Sequence, residues 1–395
     1  MRARGAVAFG VALVFALGVG IWLGGHPAKL PDFLRERFVT EPSGLTGEAA
    51  EVIRDSYYRS VGQTELENSS LQGMVRELRR RHHDRFSDYF SPESLASFNE
   101  QIEGHFSGVG LEVGEIKQGL LVGKVYSRSP AAEAGIAVGD KIISADGESL
   151  AGLTSAEATK LIKGPVGTQV TIGVRDAKTD KLREETLTRA EVALPNVSSQ
   201  VKEVSGHKVG YVRMLSFSES AHTQLARAVA KVEGEGAEGI VLDLRGNPGG
   251  LLDEAVESAS IFLPAEEIVV STKSRTQGDS VHKTSGERLS ELPLVVLIDR
   301  NTASAAEILT AALADDGDAT VVGTRSYGKG VFQEERDLAN GGALKLTVGE
   351  YFTPNGVNLA RSKGIHPDVR VSDDPHTAAD EGKQKALETL AGEVG

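Results

Sequence analysis

An apolar run followed closely by a helix-forming segment puts a serine where the chain must turn. Residues 294–298 are continuously apolar, which is typical of a buried strand, and residues 305–313 are rich in helix-forming residues. Ser304 lies between the two segments. Because the first N–H groups of a helix have no partner inside it, they point toward a residue in that position. The pattern predicts an α/β fold with an exposed serine at a strand-to-helix turn.

A lysine follows in a setting that suits a general base. Lys329 lies between Gly328 and Gly330. A serine needs a base to become a nucleophile, and a lysine can serve if burial lowers its pKa. The pair outlines a serine–lysine hydrolase. The alternatives are a serine that only caps the helix and a lysine that is only a solvated loop residue.

The sequence around Lys329 also resembles the motif of a phosphate-binding loop. Residues 323–329 spell G-x-x-x-x-G-K. That motif requires serine or threonine after the lysine to hold magnesium, and Gly330 cannot do so. Residues 331–333 are also typical of a strand rather than of a helix. Nucleotide binding is disfavoured, and we expect no cofactor.

Composition narrows the functional classes further. The chain of 395 residues is long enough for two or three domains, and its net charge of −13 argues against a nucleic-acid partner. The absence of cysteine excludes thiol catalysis and zinc–thiolate sites. The adjacent histidines His82 and His83 cannot share a helix face, so we expect no metal site there or elsewhere.

The N-terminus predicts contact with a membrane. Residues 5–25 carry no charge, and 21 helical residues approach the ~30 Å thickness of a bilayer core. Arg2 and Arg4 would keep the N-terminus cytoplasmic, so the rest of the chain would be extracytoplasmic. We expect residues 1–25 to be an uncleaved signal anchor, with a cleaved signal peptide and secretion as the alternative. A linker (26–47) and a helical region (48–105) follow.

Residues 106–190 form a block of short strands and two helices. Ser129 precedes Pro130 as a helix cap, and Thr154 with Glu157 makes a capping box. This order, with Ser-Pro-Ala-Ala-Glu-Ala-Gly from residue 129 and Gly-Asp-Lys-Ile from residue 139, resembles a PDZ domain. PDZ domains bind a C-terminal peptide as an added strand and hold its carboxylate with backbone N–H groups.

The PDZ resemblance implies a set of substrate-binding residues. The loop of Gly108, Val109, Gly110 and Leu111 would hold the carboxylate. Leu111, Val113 and the helix that begins at Thr154 would line the peptide groove. At the end of that helix, Lys163 stands where relatives commonly carry arginine, a position tied to substrate-dependent activation in some of them.

The remaining motifs extend the resemblance to a whole family. Residues 191–372 read as an α/β domain and residues 373–395 as an acidic surface helix or tail. The PDZ block followed by Asp-Leu-Arg-Gly-Asn-Pro-Gly-Gly (243–250), the Ser304 segment and Tyr-Gly-Lys-Gly (327–330) resembles the carboxyl-terminal processing peptidases. The resemblance implies an α/β multidomain protein whose catalytic core is crotonase- or Clp-protease-like. It also implies a serine endopeptidase that cleaves proteins near their C-termini.

The family pattern assigns roles within the core. Ser304 matches the nucleophile, Lys329 the general base and Gln333 the residue that completes a triad. The N–H of Ala305 and one from the Gly249–Gly250 turn match the oxyanion hole. Four extended residues span ~13 Å, so contact between Lys329 and Gln333 requires a bend, which we expect at Gly330.

Two matters stay open at this point. A catalytically idle PDZ scaffold that binds C-termini at the membrane is the competing class, disfavoured because Ser304 and Lys329 are both present. The sequence does not decide whether the chain forms a homo-oligomer.

Overall fold

The computed structural model describes residues 44–317, 319–374 and 376–394. They divide into two compact units at Tyr89. The predicted membrane segment and nearly all of the linker lie outside these residues. Within the described part, none of the helices is both long and apolar enough to cross a bilayer.

The first unit is helical, as its sequence predicts. It contains α1 (Leu45–Ser56) and α2 (Gln63–His82), and a short strand, β1 (Asp88–Phe90), spans the division between the units. Tyr89 is buried, and its hydroxyl donates to Oδ1 of Asn68 at 2.7 Å.

The second unit begins with a helix and an antiparallel sheet of six strands. Helix α3 (Pro92–Glu103) is capped by the Ser91 side chain, which accepts from the Ser94 N–H. The strand order is β3-β4-β5-β7-β8, with β6 on β5. The elements of this region are β2 (His105–Gly108), β3 (Leu111–Ile116), β4 (Gly119–Val125), α4 (Pro130–Glu133), β5 (Lys141–Ala145), β6 (Glu148–Ser149), α5 (Ser155–Ile162), β7 (Gln169–Arg175), β8 (Leu182–Thr188) and β9 (Ala190–Ala193).

The local capping predictions are confirmed in this region. The Ser129 hydroxyl accepts from the Ala132 N–H at 3.2 Å, at the start of α4. Thr154 Oγ1 accepts from the Glu157 N–H at 3.3 Å, while Oε2 of Glu157 accepts from the Thr154 N–H at 2.9 Å. These bonds satisfy helix N–H groups that would otherwise lack partners.

The rest of the chain forms a second α/β region. A six-stranded sheet has the order β10-β11-β12-β15-β16-β19 and is parallel from β11 onward. A smaller antiparallel sheet pairs β14, β13, β18 and β17. The elements are β10 (Val197–Val204), β11 (His207–Met214), α6 (Ala221–Gly234), β12 (Gly239–Asp243), α7 (Leu252–Ala259), β13 (Ile268–Ser274), β14 (Gly278–Lys283), β15 (Leu294–Ile298), α8 (Ala305–Asp316), β16 (Thr320–Gly323), β17 (Val331–Asp337), β18 (Ala343–Phe352), α9 (Leu359–Ser362), β19 (Val369–Arg370) and α10 (Glu381–Val394).

Both faces of the parallel sheet are covered. Alternate residues of β12 face opposite sides, so Ile240 and Leu242 join the core beneath α6, α7 and α8, and Val241 joins the core beneath α10. Leu387 and Leu390 of α10 are buried in that second core. The acidic segment expected as a surface helix or tail therefore contains a helix, but one of its faces is buried.

An arginine fixes the start of this last helix. Nη1 of Arg245 donates to Asp380 at 2.7 Å, and Nη2 donates to Asp243 at 2.8 Å. Nη1 also reaches Asp373 at 3.2 Å. Because Asp243 ends β12, the C-terminal segment is bound directly to the strand that leads into the Gly249–Gly250 turn.

Candidate active site

Ser304 occupies the turn between β15 and α8, as the sequence predicts. It is the N-cap residue of α8, with φ 56° and ψ −121°. A non-glycine residue with positive φ costs of order 1–3 kcal/mol and persists only where its surroundings impose it. The residue is only 5% exposed, so the prediction of an exposed serine is wrong. It instead lines an internal cleft of about 560 Å³.

A buried carboxylate holds this turn in place. Glu307 is fully buried, and its Oε2 accepts from the N–H groups of Ser304 and Lys329, each at 2.9 Å. Its Oε1 accepts from the Gly328 N–H at 2.7 Å and from the Ser326 hydroxyl. One carboxylate thus joins the serine turn to the lysine loop. Glu307 was not among the predicted site residues, although the Ser-x-x-Glu spacing of a capping box was the signal.

The Gly249–Gly250 turn packs directly against the serine. A Cβ on Gly249 would lie 2.8 Å from Cβ of Ser304 and 2.9 Å from N of Ala305, so no side chain fits there. The Gly249 N–H donates to Oδ1 of the buried Asn247 at 2.9 Å. Within the described residues, neither the Gly250 N–H nor the Ala305 N–H donates a hydrogen bond. Both N–H groups therefore lack an acceptor within the described residues, next to Ser304.

Lys329 lies in the same cleft as Ser304. Burial and, second, the positive charge of Lys345 together lower the pKa of its ammonium to about 8, against the opposing effect of Glu307. A lysine with this pKa is neutral in a substantial fraction of molecules near neutral pH, which a general base requires.

Gln333 also lines the cleft. The pairing of β17 with β18 shifts register between Phe332 and Gln333, and the extra residue there is Val348 of β18. Contact between Lys329 and Gln333 through a bend at Gly330 stays a prediction. Nε2 of Gln333 donates to Oγ1 of Thr347 at 3.3 Å.

Three further cleft residues come from the β17–β18 hairpin and were missed by the sequence analysis. Glu335 and Lys345 are cross-strand partners and both line the cleft. Tyr351 is 6% exposed and lines the same cleft as Ser304. Burial raises the pKa of its hydroxyl well above its usual range. No local signal could have identified these residues, because their proximity to Ser304 depends on how the two sheets pack.

The predicted peptide-binding residues lie at the start of the antiparallel sheet. Gly108 ends β2, Val109 is buried, and Leu111 and Val113 of β3 pack partly buried against the core of this sheet. Ser129 packs closely against Gly110, since a Cβ at Gly110 would lie 2.0 Å from Cβ of Ser129.

Lys163 points toward another helix. It caps the C-terminus of α5, and its Nζ lies 2.6 Å from Oε2 of Glu100 in α3. Lys160 of α5 likewise pairs with Glu93 at 3.0 Å. Glu93 and Glu100 are two helical turns apart, so they share a face of α3. Other residues of α3, among them Phe98 and Ile102, line the cleft that holds Ser304.

Comparisons with known proteins agree with this layout. Residues 208–371 match peptidase family S41 and residues 121–176 match a PDZ domain. A carboxyl-terminal-processing protease of Synechocystis sp. is 33% identical over 406 residues, which cover 97% of this chain and 93% of the relative. The carboxy-terminal processing protease CtpB of Bacillus subtilis is 32% identical over 84% of this chain and 68% of its own length.

A solved structure supports the same assignment. The photosystem II D1 C-terminal processing protease matches with a TM-score of 0.50 at 27% identity, over 89% of this chain and 98% of that chain. The chain therefore belongs to peptidase family S41, and it is a PDZ-containing serine-type peptidase of the carboxyl-terminal processing group.

Proposed function

We propose that this peptidase cleaves proteins near their C-termini by a Ser304–Lys329 mechanism. Neutral Lys329 takes the proton of the Ser304 hydroxyl as Oγ attacks the peptide carbonyl. The resulting ammonium then protonates the leaving amine, and water hydrolyses the acyl-enzyme with Lys329 again as base. The observation that carries this proposal is a lysine whose pKa falls to about 8 in the same cleft as the serine.

The backbone supplies the electrostatic part of the mechanism. The N–H groups of Gly250 and Ala305 would donate to the oxygen of the tetrahedral intermediate, which is worth roughly 10²–10³ in rate for one such donor. Gln333 would orient the ammonium of Lys329 through its side-chain amide. The presence of Gln333 and Lys329 in one cleft supports that role.

Three variants test the chemistry. Ser304→Ala, Lys329→Ala and Lys329→Arg should each abolish cleavage of an unstructured protein, with products followed by mass, because arginine keeps its proton at any working pH. Lys231→Ala, which removes an exposed lysine of α6, is the matched control and should keep full activity. Cleavage retained in any of the first three, in protein that unfolds like the wild type, would refute the Ser–Lys mechanism.

The proposal extends to control of the active site by the PDZ domain. A substrate C-terminus would bind between β3 and α5, with its carboxylate at residues 108–111 and apolar side chains against Leu111 and Val113. Helix α3 supports a coupling, since one face pairs with α5 through Glu93 and Glu100 while other residues line the cleft. A ligand that moves α5 would therefore bias the position of α3, and with it the shape of the cleft.

Stimulation in trans distinguishes control of the active site by the PDZ domain from simple tethering of the substrate. A short peptide with a scissile bond is cleaved with and without a separate peptide that ends in a free apolar C-terminus. Control predicts faster cleavage and no effect of the same peptide with an amidated C-terminus, whereas tethering predicts no change or competition. Glu100→Gln breaks the pair with Lys163 and should reduce the stimulation. Glu184→Gln, an exposed position of β8, should leave it intact.

We also propose that the peptidase acts outside the cytoplasm, on the basis of the uncharged residues 5–25 and the preceding Arg2 and Arg4. A C-terminal fusion to alkaline phosphatase, which is active only after export, tests this. Phosphatase activity that remains with the membrane fraction supports an anchored form. An inactive fusion would refute export.

A further inference from the structure

The ammonium of Lys345 lies against two aromatic rings in the wall of the cleft. Its Nζ is 4.7 Å from the ring centroid of Phe98 and 5.4 Å from that of Phe90, and the two rings stack with their centroids 4.9 Å apart. A cation within about 6 Å of a ring centroid is attracted by the negative face of the ring. Lys345 and Phe98 both line the cleft that contains Ser304 and Lys329. The rings therefore hold a positive charge in the wall of the proposed active site.

Helix α3 brings Phe98 to the cleft and other side chains to the PDZ helix α5. Oε1 of Glu93 lies 3.0 Å from Nζ of Lys160, and Oε2 of Glu100 lies 2.6 Å from Nζ of Lys163. Phe98 is five residues after Glu93, so it lies roughly 140° around the helix, on a different face. One helix thus connects two ion pairs with α5 to the charged wall of the cleft.

We propose that Phe98 is a positioning residue, whose ring holds the ammonium of Lys345 in the wall of the cleft and through which the PDZ domain moves that charge. A ligand that displaces α5 displaces α3 with it, and the Phe98 ring moves with α3. The ammonium then follows the ring or loses its attraction to it. The proposal rests on the proposed control of the active site by the PDZ domain, and it names the group on which this control acts.

The position of this charge matters for the proposed base. Lys329 lies in the same cleft, where burial and, second, the positive charge of Lys345 lower its pKa. Without the Phe98 ring, the ammonium of Lys345 takes a better hydrated position farther from another cation, and the pKa of Lys329 rises. The other charged groups around Lys329 are Glu335 in the cleft wall and Glu307 beneath the serine turn, and both stay in a Phe98 variant.

Phe98→Leu tests the proposal, because it removes the ring and keeps an apolar side chain. For kcat/KM of a short peptide we expect a pH midpoint shifted upward and a rate at pH 7 that is roughly two- to fivefold lower. A lost contact with the substrate would instead lower the rate by one factor at every pH. Phe98→Tyr keeps the ring face and should keep the wild-type midpoint. Combined with Lys345→Gln, Phe98→Leu should shift the midpoint no further than Lys345→Gln alone, because no charge remains to be positioned.

A spectroscopic readout tests the contact without relying on cleavage. In the full chain with ¹³C-labelled lysine, the ε-CH₂ protons of Lys345 should be shifted upfield, because protons over an aromatic ring are shielded. The signal is identified by its loss in Lys345→Gln. Phe98→Leu should move it toward the position of a solvated lysine. A separate peptide with a free apolar C-terminus should move the signal in the wild type and much less in Phe98→Leu.

Phe352→Leu is the matched control. It removes another half-buried ring that holds a lysine, since Nζ of Lys273 lies 4.8 Å from its centroid, but neither residue is among those that line the cleft. It should change neither the midpoint nor the Lys345 signal. An unshifted Lys345 signal in the wild type, or an unchanged midpoint in Phe98→Leu, would overturn the role of Phe98.

Two outcomes separate this role from the function on which it rests. If the separate peptide neither stimulates the wild type nor moves the Lys345 signal, control by the PDZ domain is wrong, and with it the second half of the proposal. If the peptide stimulates cleavage but leaves the Lys345 signal in place, control by the PDZ domain holds and Phe98 is not its route.

Discussion

The charge of Lys345 should set the pH at which this peptidase works. Lys345 lies across the hairpin from Glu335, and both face the cleft that contains Lys329. Its ammonium is one cause of the lowered pKa of Lys329, second to burial. Lys345→Gln removes that charge and keeps a polar side chain of similar length. Glu307, which raises the pKa of Lys329, remains in the variant, so that pKa must rise.

The size of the effect follows from the neutral fraction of Lys329. With a pKa of about 8, roughly one molecule in eleven carries the neutral amine at pH 7. At the ordinary lysine pKa of 10.5 the fraction would be only ~0.03%, about 300-fold lower. Each unit by which Lys345→Gln raises the pKa should therefore lower the rate at pH 7 about tenfold and leave the rate at high pH unchanged.

The assay is kcat/KM for a short peptide substrate between pH 6 and 10. The wild type should show a rate that rises with pH and is half-maximal near the pKa of Lys329. Lys345→Gln should shift this midpoint upward, whereas Lys345→Arg, which keeps the charge, should not. An unchanged midpoint in Lys345→Gln, with protein that folds normally, would refute the electrostatic coupling. A wild-type profile that is flat across this range would refute Lys329 as the base.

Three other changes test the structural argument around the site. Glu307→Gln should lower the free energy of unfolding by about 2–4 kcal/mol in a urea titration and should reduce cleavage. The reason is that both carboxylate oxygens of Glu307 accept hydrogen bonds, whereas the NH₂ group of a glutamine would face N–H or O–H donors without accepting from them. Gly250→Ala should abolish cleavage, since its Cβ would lie 2.3 Å from the Phe217 carbonyl oxygen; a variant with wild-type kcat would contradict this. Lys329→Met should raise Tm at pH 7 while it removes activity, because the pKa of Lys329 is lower in the folded state than in the unfolded chain. That advantage should shrink from about pH 8 toward 10.5, because in this range the folded wild type has released its proton while the unfolded chain still holds one, so wild-type stability rises with pH. A constant difference would argue against a depressed lysine pKa.

Features that depend on neighbouring residues could be predicted from the sequence. Ser304 could be assigned to a strand-to-helix turn because an apolar run and a helix former-rich segment flank it. The caps at Ser129 and Thr154 followed from side chains that reach N–H groups three residues away. The order of motifs was enough to indicate the peptidase family, since each motif is read within a few residues.

Which distant side chains complete the site depends on tertiary packing. Tyr351 and Lys345 lie on a hairpin whose approach to Ser304 depends on the packing of two sheets, and no local pattern encodes that distance. The register shift beside Gln333 likewise depends on pairing with β18, which no local pattern around Gln333 indicates. The burial that lowers the pKa of Lys329 also depends on how distant segments pack. A pKa shift requires neighbours that exclude water, and those neighbours come together only when the chain has folded.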